Sequence, residues 1–229
     1  MIPAPVMASA LVLPTGAALV YFVIAAGHWS AAMIYGGTKV AMVVGPLLCG
    51  WRWGWPPTLT PMRSWARISG EGLLLGALMG GAIILAACGP LAWLLALAAP
   101  RITDKINEFH LATPAAFVTA ALVISLLHSA FEEWYWRWFV VGQLHQRLRP
   151  LNAHLLGGLA FAGHHVVVLW VYAGPLAGIV LGLLVGGAGI AWSLLRQRHG
   201  SLLGAWLAHA ACDAAIMFLG WRVLYPGAA

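Results

Sequence analysis

Six of the ionisable residues inside the otherwise apolar segments of this chain are the candidates for chemistry. A charged side chain in the interior of a bilayer costs on the order of 3 kcal/mol even on the most lenient insertion scale. A chain that uses charge so sparingly therefore has a reason to place charges there, and we interpret the six as functional or supporting groups. They are Glu132, Glu133, Arg137, His165, His209 and Asp213.

The side-chain types predict the activation of a water molecule. A carboxylate such as Glu132, held in a cavity of low dielectric constant, is a competent general base near neutral pH. An imidazole opposite it, such as that of His165, can share the water and fix its orientation. A second imidazole, that of His209, can donate to the oxyanion that develops on an attacked carbonyl group.

Helical spacing adds pairings to this set. Glu133 and Arg137 are four residues apart, which places them on one face and predicts a structural ion pair. His209 and Asp213 have the same spacing and are expected to point into the same space. His164 is expected to face away from His165 and to pack or support, and the role of Lys39, at a similar depth in another span, is left open.

The composition of the chain identifies the environment of these groups. Of its 229 residues, 62% are hydrophobic and 8% are charged, whereas a soluble domain carries about 25% charged residues. This excludes a soluble globular protein, a nucleic-acid binder and a disordered chain. We predict an all-α polytopic membrane helix bundle that forms a single domain over residues 1–229, with the motif-bearing core at about 115–219.

The apolar runs predict seven membrane spans, since a hydrocarbon core about 30 Å thick needs about 20 residues per helix. The third run is long enough to tilt or to break at Gly89-Pro90, so an eighth span is the main rival. The predicted spans are Pro5–Ala26, Ser30–Gly50, Gly72–Ala99, Ala115–Leu144, Leu151–Tyr172, Pro175–Leu195 and Ser201–Leu219.

Small residues repeat every four positions in two of the spans. Such spacing puts them on one helix face, where neighbouring backbones can approach closely, so we predict tight helix packing there. The two sets are Gly72, Gly76 and Gly80 in the third span, and Gly174, Gly178, Gly182 and Gly186 in the sixth.

The basic residues between spans predict the orientation by the positive-inside rule. Seven of them fall on one side, against Arg101, Lys105 and Arg222 on the other, which predicts a cytoplasmic N-terminus and an outer C-terminus in a prokaryotic inner membrane. The segment from Arg52 to Arg67 is expected to lie at the interface. The seven are Arg52, Arg63, Arg67, Arg147, Arg149, Arg196 and Arg198.

The depths of the ionisable groups agree under this topology. At 1.5 Å per residue, Glu132 lies about 18 Å and His165 about 20 Å from the cytoplasmic ends of their helices. His209 and Asp213 lie about 12 and 18 Å from theirs. We therefore predict one shared polar cavity that opens toward the cytoplasmic side.

Three motifs in order on these helices resemble a known family. Glu132-Glu133-Trp-Tyr-Trp-Arg137 reads as EExxxR, Phe161-Ala-Gly-His-His165 as FxxxH, and His209-Ala-Ala-Cys-Asp213 as HxxxD. The set is similar to the CAAX-prenyl protease and bacteriocin-processing (CPBP, or ABI) family of intramembrane glutamate proteases.

The resemblance implies roles for these residues. Glu132 would be the general base, His165 would help to bind the water, and His209 with Asp213 would stabilise the oxyanion. Glu133 and Arg137 would brace the site. The implied reaction is hydrolysis of a peptide bond without a covalent intermediate and without a metal or other cofactor.

The resemblance also implies the substrates, which are membrane-associated proteins or peptides cut at a C-terminal tail, a leader or a prenylated segment. One position departs from the family, which usually has Asn where this chain has Asp213. An amide can donate a hydrogen bond to an oxyanion, whereas an ionised carboxylate cannot. Asp213 could act when protonated, could orient His209, or could indicate a metal.

Other functions remain open at this point. Glu132, His165, His209 and Asp213 offer the nitrogen and oxygen ligands that zinc accepts, although the chain lacks an HExxH helix. Acid and histidine residues in membranes also carry protons in cation-coupled transporters, although no internal repeat suggests alternating halves. A non-catalytic membrane partner, such as an immunity or scaffold protein, is the third alternative.

Overall fold

The computed structural model describes residues 2–54 and 65–227, and every regular element in them is a helix. We number these helices in chain order. They are α1 (Ala4–Ile24), α2 (Trp29–Trp53), α3 (Trp65–Cys88), α4 (Ala92–Glu108), α5 (Pro114–Leu144), α6 (Pro150–Ala173), α7 (Pro175–His199) and α8 (Leu203–Leu224).

Seven of the described helices are long and apolar enough to cross a membrane: all except α4. The predicted all-α, polytopic helix bundle is therefore confirmed. The observed helices match six of the seven predicted spans to within a few residues at each end.

The third predicted span differs, because it was expected to run to Ala99. Helix α3 ends at Cys88, a turn covers Gly89 to Leu91, and the separate helix α4 follows. Pro90 has no backbone N–H to donate, which ends the hydrogen-bond ladder. Within the described residues α4 is not a candidate span, so no eighth span forms there.

The helix ends follow from local sequence. Helix α5 begins at Pro114 after Thr113, whose side chain accepts a hydrogen bond from the Ala116 N–H at 3.3 Å. Proline also starts α6 and α7, where its missing N–H has no helical partner to lose. Helix α7 ends at His199, and the next residue, Gly200, has a φ of +64°, the left-handed conformation that favours glycine.

Two predictions about the ends of the spans are not settled by the structure. The predicted interfacial segment from Arg52 to Arg67 falls largely on residues 55–64, outside the described residues. The orientation of the termini across the membrane stays a prediction.

The helices form two compact units. The first unit contains residues 1–62 and 131–202, and thus α1, α2, the second part of α5, α6 and α7. Within it, Gly182 of α7 faces the backbone of Val166 in α6, and Gly178 faces the backbone of Trp170. Gly186 continues this contact against Ala162, so the predicted tight packing is confirmed for these three glycines. It is wrong for Gly174, which lies before the first residue of α7 and where a Cβ would meet no atom within 4 Å.

The second unit contains residues 63–130 and 203–229, and thus α3, α4, the first part of α5 and α8. Its glycines at 72, 76 and 80 lie against the backbone of α8 near Gly204, Ala208 and Ala211. The predicted close approach of this helix face to a neighbour is confirmed as well.

The α6–α7 contact leads to a stability prediction. We expect Gly182→Ala to lower the melting temperature of the detergent-solubilised protein, because its new Cβ would lie 2.8 Å from the Val166 backbone nitrogen and force the helices apart. Overpacking of this kind costs about 1–3 kcal/mol. The matched control is Gly187→Ala on the same helix, where a Cβ would meet no atom within 4 Å. Equal melting temperatures for the two variants would contradict the prediction.

Candidate active site

Glu132 lies on α5 in the first unit and is buried, with 2% of its surface exposed. Two wider π-helical stretches, Val123–His128 and Trp134–Val141, flank the short α-helical segment that carries it. Wider turns of this kind are frequent at functional sites, since they change the direction in which side chains project. The directions of side chains along this helix therefore depart from a regular repeat of 3.6 residues where the turns are wider.

Lys39 of α2 contacts the carboxylate of Glu132. Its Nζ lies 3.3 Å from Oε1 of Glu132 and donates a hydrogen bond to it. The lysine side chain is 31% exposed, whereas the glutamate side chain is 3% exposed. The sequence left the role of this lysine open, and the structure places it at the candidate base.

His164 also lies beside Glu132, so the prediction that it faces away is wrong. Its Nε2 is 3.5 Å from Oε1 of Glu132, and its ring centroid is 4.0 Å from that of His165. Trp136, one turn after Glu132, stacks parallel to the His164 ring with centroids 6.0 Å apart. Consecutive positions on α6 differ by about 100° in direction, but two long side chains can still converge on one point.

His165 has one ring nitrogen fixed by the backbone. Its Nδ1 lies 3.0 Å from the carbonyl oxygen of Phe161, one turn earlier on α6. A carbonyl only accepts, so we assign the proton to Nδ1, which makes Nε2 the acceptor nitrogen of the ring.

The three groups form a compact cluster. One ligand atom from each of Glu132, His164 and His165 lies within 4.8 Å of the other two. Two hydrogen bonds of about 2.8 Å that meet at a water molecule span roughly 4.6 Å, so a single water can bridge groups at about this separation. The arrangement can therefore hold and polarise one water.

The same cluster has the donor types of a transition-metal site, with two imidazoles and one carboxylate. The ammonium of Lys39, however, lies 3.3 Å from the carboxylate oxygen that would ligate the ion. A positive charge at that distance opposes a divalent cation. The residues therefore do not fit a metal centre in this arrangement.

The predicted ion pair between Glu133 and Arg137 is confirmed. Nη1 of Arg137 lies 3.2 Å from Oε1 of Glu133, and both side chains are 1% exposed. The guanidinium carbon lies 4.2 Å from the ring centroid of Phe161 and 5.0 Å from that of Trp192. Gly189 leaves the space for it, since a Cβ there would lie 2.6 Å from Nη2 of Arg137.

His209 and Asp213 lie on α8 in the second unit, and their predicted pairing is confirmed. Nε2 of His209 is 3.7 Å from Oδ1 of Asp213. The histidine is buried, and the aspartate side chain is 16% exposed. The two units are described separately, so the cavity shared with Glu132 stays a prediction.

The comparison with protein families matches residues 114–215 to the model described as type II CAAX prenyl endopeptidase Rce1-like. The matched residues run from the start of α5 into α8 and include Glu132, His165, His209 and Asp213. The motif-bearing segment is Rce1-like. The resemblance to the CPBP family is thereby confirmed.

The matched segment, which covers less than half of the chain, indicates a general functional class. The family is one of peptide hydrolases, and the match supports an intramembrane endopeptidase of the CAAX type. Together with the seven apolar helices, it supports an integral membrane protein. No curated protein and no solved structure matches the chain.

Proposed function

We propose that the chain is an intramembrane glutamate protease that hydrolyses a peptide bond in a membrane-associated protein or peptide. The observation that carries the proposal is the cluster around Glu132. This buried carboxylate lies within 4.8 Å of two imidazoles and 3.3 Å from an ammonium group. A peptide hydrolase needs a general base that takes a proton from the attacking water, and the carboxylate of Glu132 can serve as that base.

In the proposed reaction, one water binds between Glu132 and Nε2 of His165. It donates one hydrogen to the carboxylate and the other to the imidazole lone pair, which directs its oxygen lone pair at the substrate carbonyl. Because the Phe161 carbonyl holds Nδ1 of His165, the ring keeps the orientation that this requires. His164 supports the carboxylate from 3.5 Å away.

Glu132 takes a proton from the water as the oxygen bonds to the carbonyl carbon. The resulting tetrahedral oxyanion collapses when the protonated Glu132 passes the proton to the amide nitrogen and the C–N bond breaks. The products are a carboxylic acid and an amine, and no bond between enzyme and substrate forms.

His209 is proposed to donate to the oxyanion, with Asp213 holding the imidazole in position from 3.7 Å. The motif resemblance supports this assignment, and so does the buried position of the histidine. The Glu133–Arg137 pair is proposed to brace α5, which carries Glu132, against Phe161 on α6 and Trp192 on α7.

The substrate is proposed to be a chain end or a processing segment held at the membrane. A C-terminal tail, a leader peptide and a prenylated segment are the candidates, and the name of the matched family favours a prenylated CAAX sequence first.

The test is cleavage by the purified protein in lipid nanodiscs. The panel contains a farnesylated peptide ending in a CAAX sequence, the same peptide without the farnesyl group, a leader peptide and a hydrophobic C-terminal tail. We expect mass spectrometry to detect new fragments from at least one peptide with wild type. No fragments from any of the four would contradict the proposal. Loss of cleavage with a chelator and recovery with zinc would support the metalloprotease instead.

A further inference from the structure

Lys39 lies near the middle of α2, where a charge is costly. At 1.5 Å per residue it is about 15 Å from the start of the helix at Trp29 and about 21 Å from the end at Trp53. These distances exceed what a lysine side chain can bridge by extending toward the interface. A lone lysine at such a depth requires a partner within the protein.

That partner is the candidate base itself. The Nζ of Lys39 lies 3.3 Å from Oε1 of Glu132, and 5.4 Å from the ring centroid of Tyr35 one turn earlier on α2. Tyr35 in turn stacks on Tyr21 of α1 with centroids 4.8 Å apart. The lysine is thus held between an aromatic pair and the carboxylate, while 31% of its side chain stays exposed.

An ammonium group has three N–H donors on a flexible four-carbon chain. One donor serves Glu132 and a second serves the Tyr35 side chain, which leaves the third for a group that arrives at the exposed part of the side chain. Lys39 therefore remains close to the carboxylate while it contacts a substrate.

We propose that Lys39 is a further catalytic residue, whose ammonium stabilises the oxyanion formed on the substrate carbonyl. This assignment rests on the proposed function. The physical reason is the movement of charge during the attack. When Glu132 accepts the proton from water it becomes neutral, and the carbonyl π electrons move onto the substrate oxygen. The negative charge therefore leaves the carboxylate of Glu132 and appears on the substrate oxygen, which in this proposal also lies beside Lys39, a few ångströms away.

Through this exchange Lys39 keeps an anionic partner when Glu132 is neutralised, and the developing oxyanion gains a positive charge beside it. An interaction accelerates a reaction when it is stronger in the transition state, and a preorganised cation at a developing oxyanion is of this kind. After the C–N bond breaks and Glu132 has passed its proton to the leaving nitrogen, the ammonium returns to the carboxylate. The lysine keeps its own protons throughout.

The test compares Lys39→Met, which keeps the length of the side chain without its charge, with Lys39→Arg, which keeps the charge. The chain offers a matched control in Lys105→Met, since Lys105 is its other lysine and pairs with the exposed Glu108 at 2.9 Å. The substrate is the panel peptide that wild type cleaves best. We expect Lys39→Met to lower kcat by roughly 100- to 1000-fold, the usual effect of losing one oxyanion donor. Its KM should stay near that of wild type, and Lys39→Arg should retain much more activity.

A second measurement does not depend on turnover. The scissile amide of the same peptide is replaced by an anionic phosphinate, which imitates the oxyanion, or by a neutral hydroxyethylene group. We expect Lys39→Met to lose at least about tenfold in affinity for the phosphinate, at 1.4 kcal/mol per factor of ten, while the affinity for the neutral analogue is unchanged. A purely structural role would weaken both equally.

The outcomes separate this inference from the proposed function. If wild type cleaves a peptide and Lys39→Met has an unchanged kcat, or loses affinity for both analogues alike, the Lys39 assignment is wrong and the protease remains. If wild type cleaves no panel peptide, the proposed function is wrong, and so is the Lys39 assignment that rests on it.

Discussion

Replacing Glu132 by Gln is expected to abolish peptide hydrolysis, lowering kcat by roughly 10⁴-fold, the upper range for loss of a general base. The amide has nearly the same shape as the carboxylate but cannot accept the proton of the attacking water. It also remains able to accept a hydrogen bond from Lys39, whose Nζ lies 3.3 Å from this side chain. The measurement is the rate of fragment formation from the best panel peptide, followed by mass spectrometry.

The matched control for this variant is Glu108→Gln. Glu108 is an acid with a 56% exposed side chain at the end of α4, and its substitution should leave the rate unchanged. Both variants should be purified in the same yield and unfold at temperatures close to wild type. A Glu132→Gln protein that keeps a tenth or more of the wild-type kcat would contradict its role as the base.

The second large effect is expected on stability, from Arg137→Met. This change removes a guanidinium that lies 3.2 Å from Glu133 in a site where both side chains are 1% exposed. Removing one partner of a buried ion pair costs about 3–5 kcal/mol, because the other charge stays in a medium that solvates it poorly. The cation–aromatic contacts with Phe161 and Trp192 are lost as well. The measurement is the free energy of unfolding from denaturant titration in mixed micelles.

Two further variants check the cause of this loss. The double variant Glu133→Gln, Arg137→Met should recover a substantial part of the stability, since it leaves no charge at the pair. Arg101→Met, at an exposed position on α4, should cost little. A single Arg137→Met variant within about 1 kcal/mol of wild type would show that this pair contributes little net stability.

Much of the fold could be predicted because a bilayer leaves few choices. Apolar runs of about 20 residues must form helices that satisfy their own backbone, so the spans follow from hydrophobicity alone. The third span shows where this fails. The residues from Leu91 to Ala99 are as apolar as those before them, and the break depends on Gly89 and Pro90 rather than on hydrophobicity.

The candidate site could be predicted in part. Pairs within one helix, such as Glu133 with Arg137 and His209 with Asp213, follow directly from four-residue spacing. The approach of Lys39 to Glu132 could not be derived in this way, since it depends on how α2 packs against α5. The signal for it was present as a lysine in mid-span, which needs a partner.

His164 was misplaced for a related reason. In a regular helix neighbouring residues face different directions, but two imidazole side chains are long enough to converge on the same carboxylate. The wider turns that flank Glu132 on α5 also change the direction of the side chains there. The common cavity with His209 stays a prediction, because equal depth does not determine how a helix is rotated about its axis.

The central claim is that Glu132 and His165 act on one water molecule, and a double-mutant cycle measures this most directly. The variants are Glu132→Asp, which keeps a carboxylate but draws it back by one methylene, His165→Gln, and the two combined. Residues that act as a unit give strongly non-additive losses in kcat. We therefore predict that the double variant has a kcat close to that of the slower single variant. A kcat lowered by the product of the two single losses would contradict the claim that the two residues share a water.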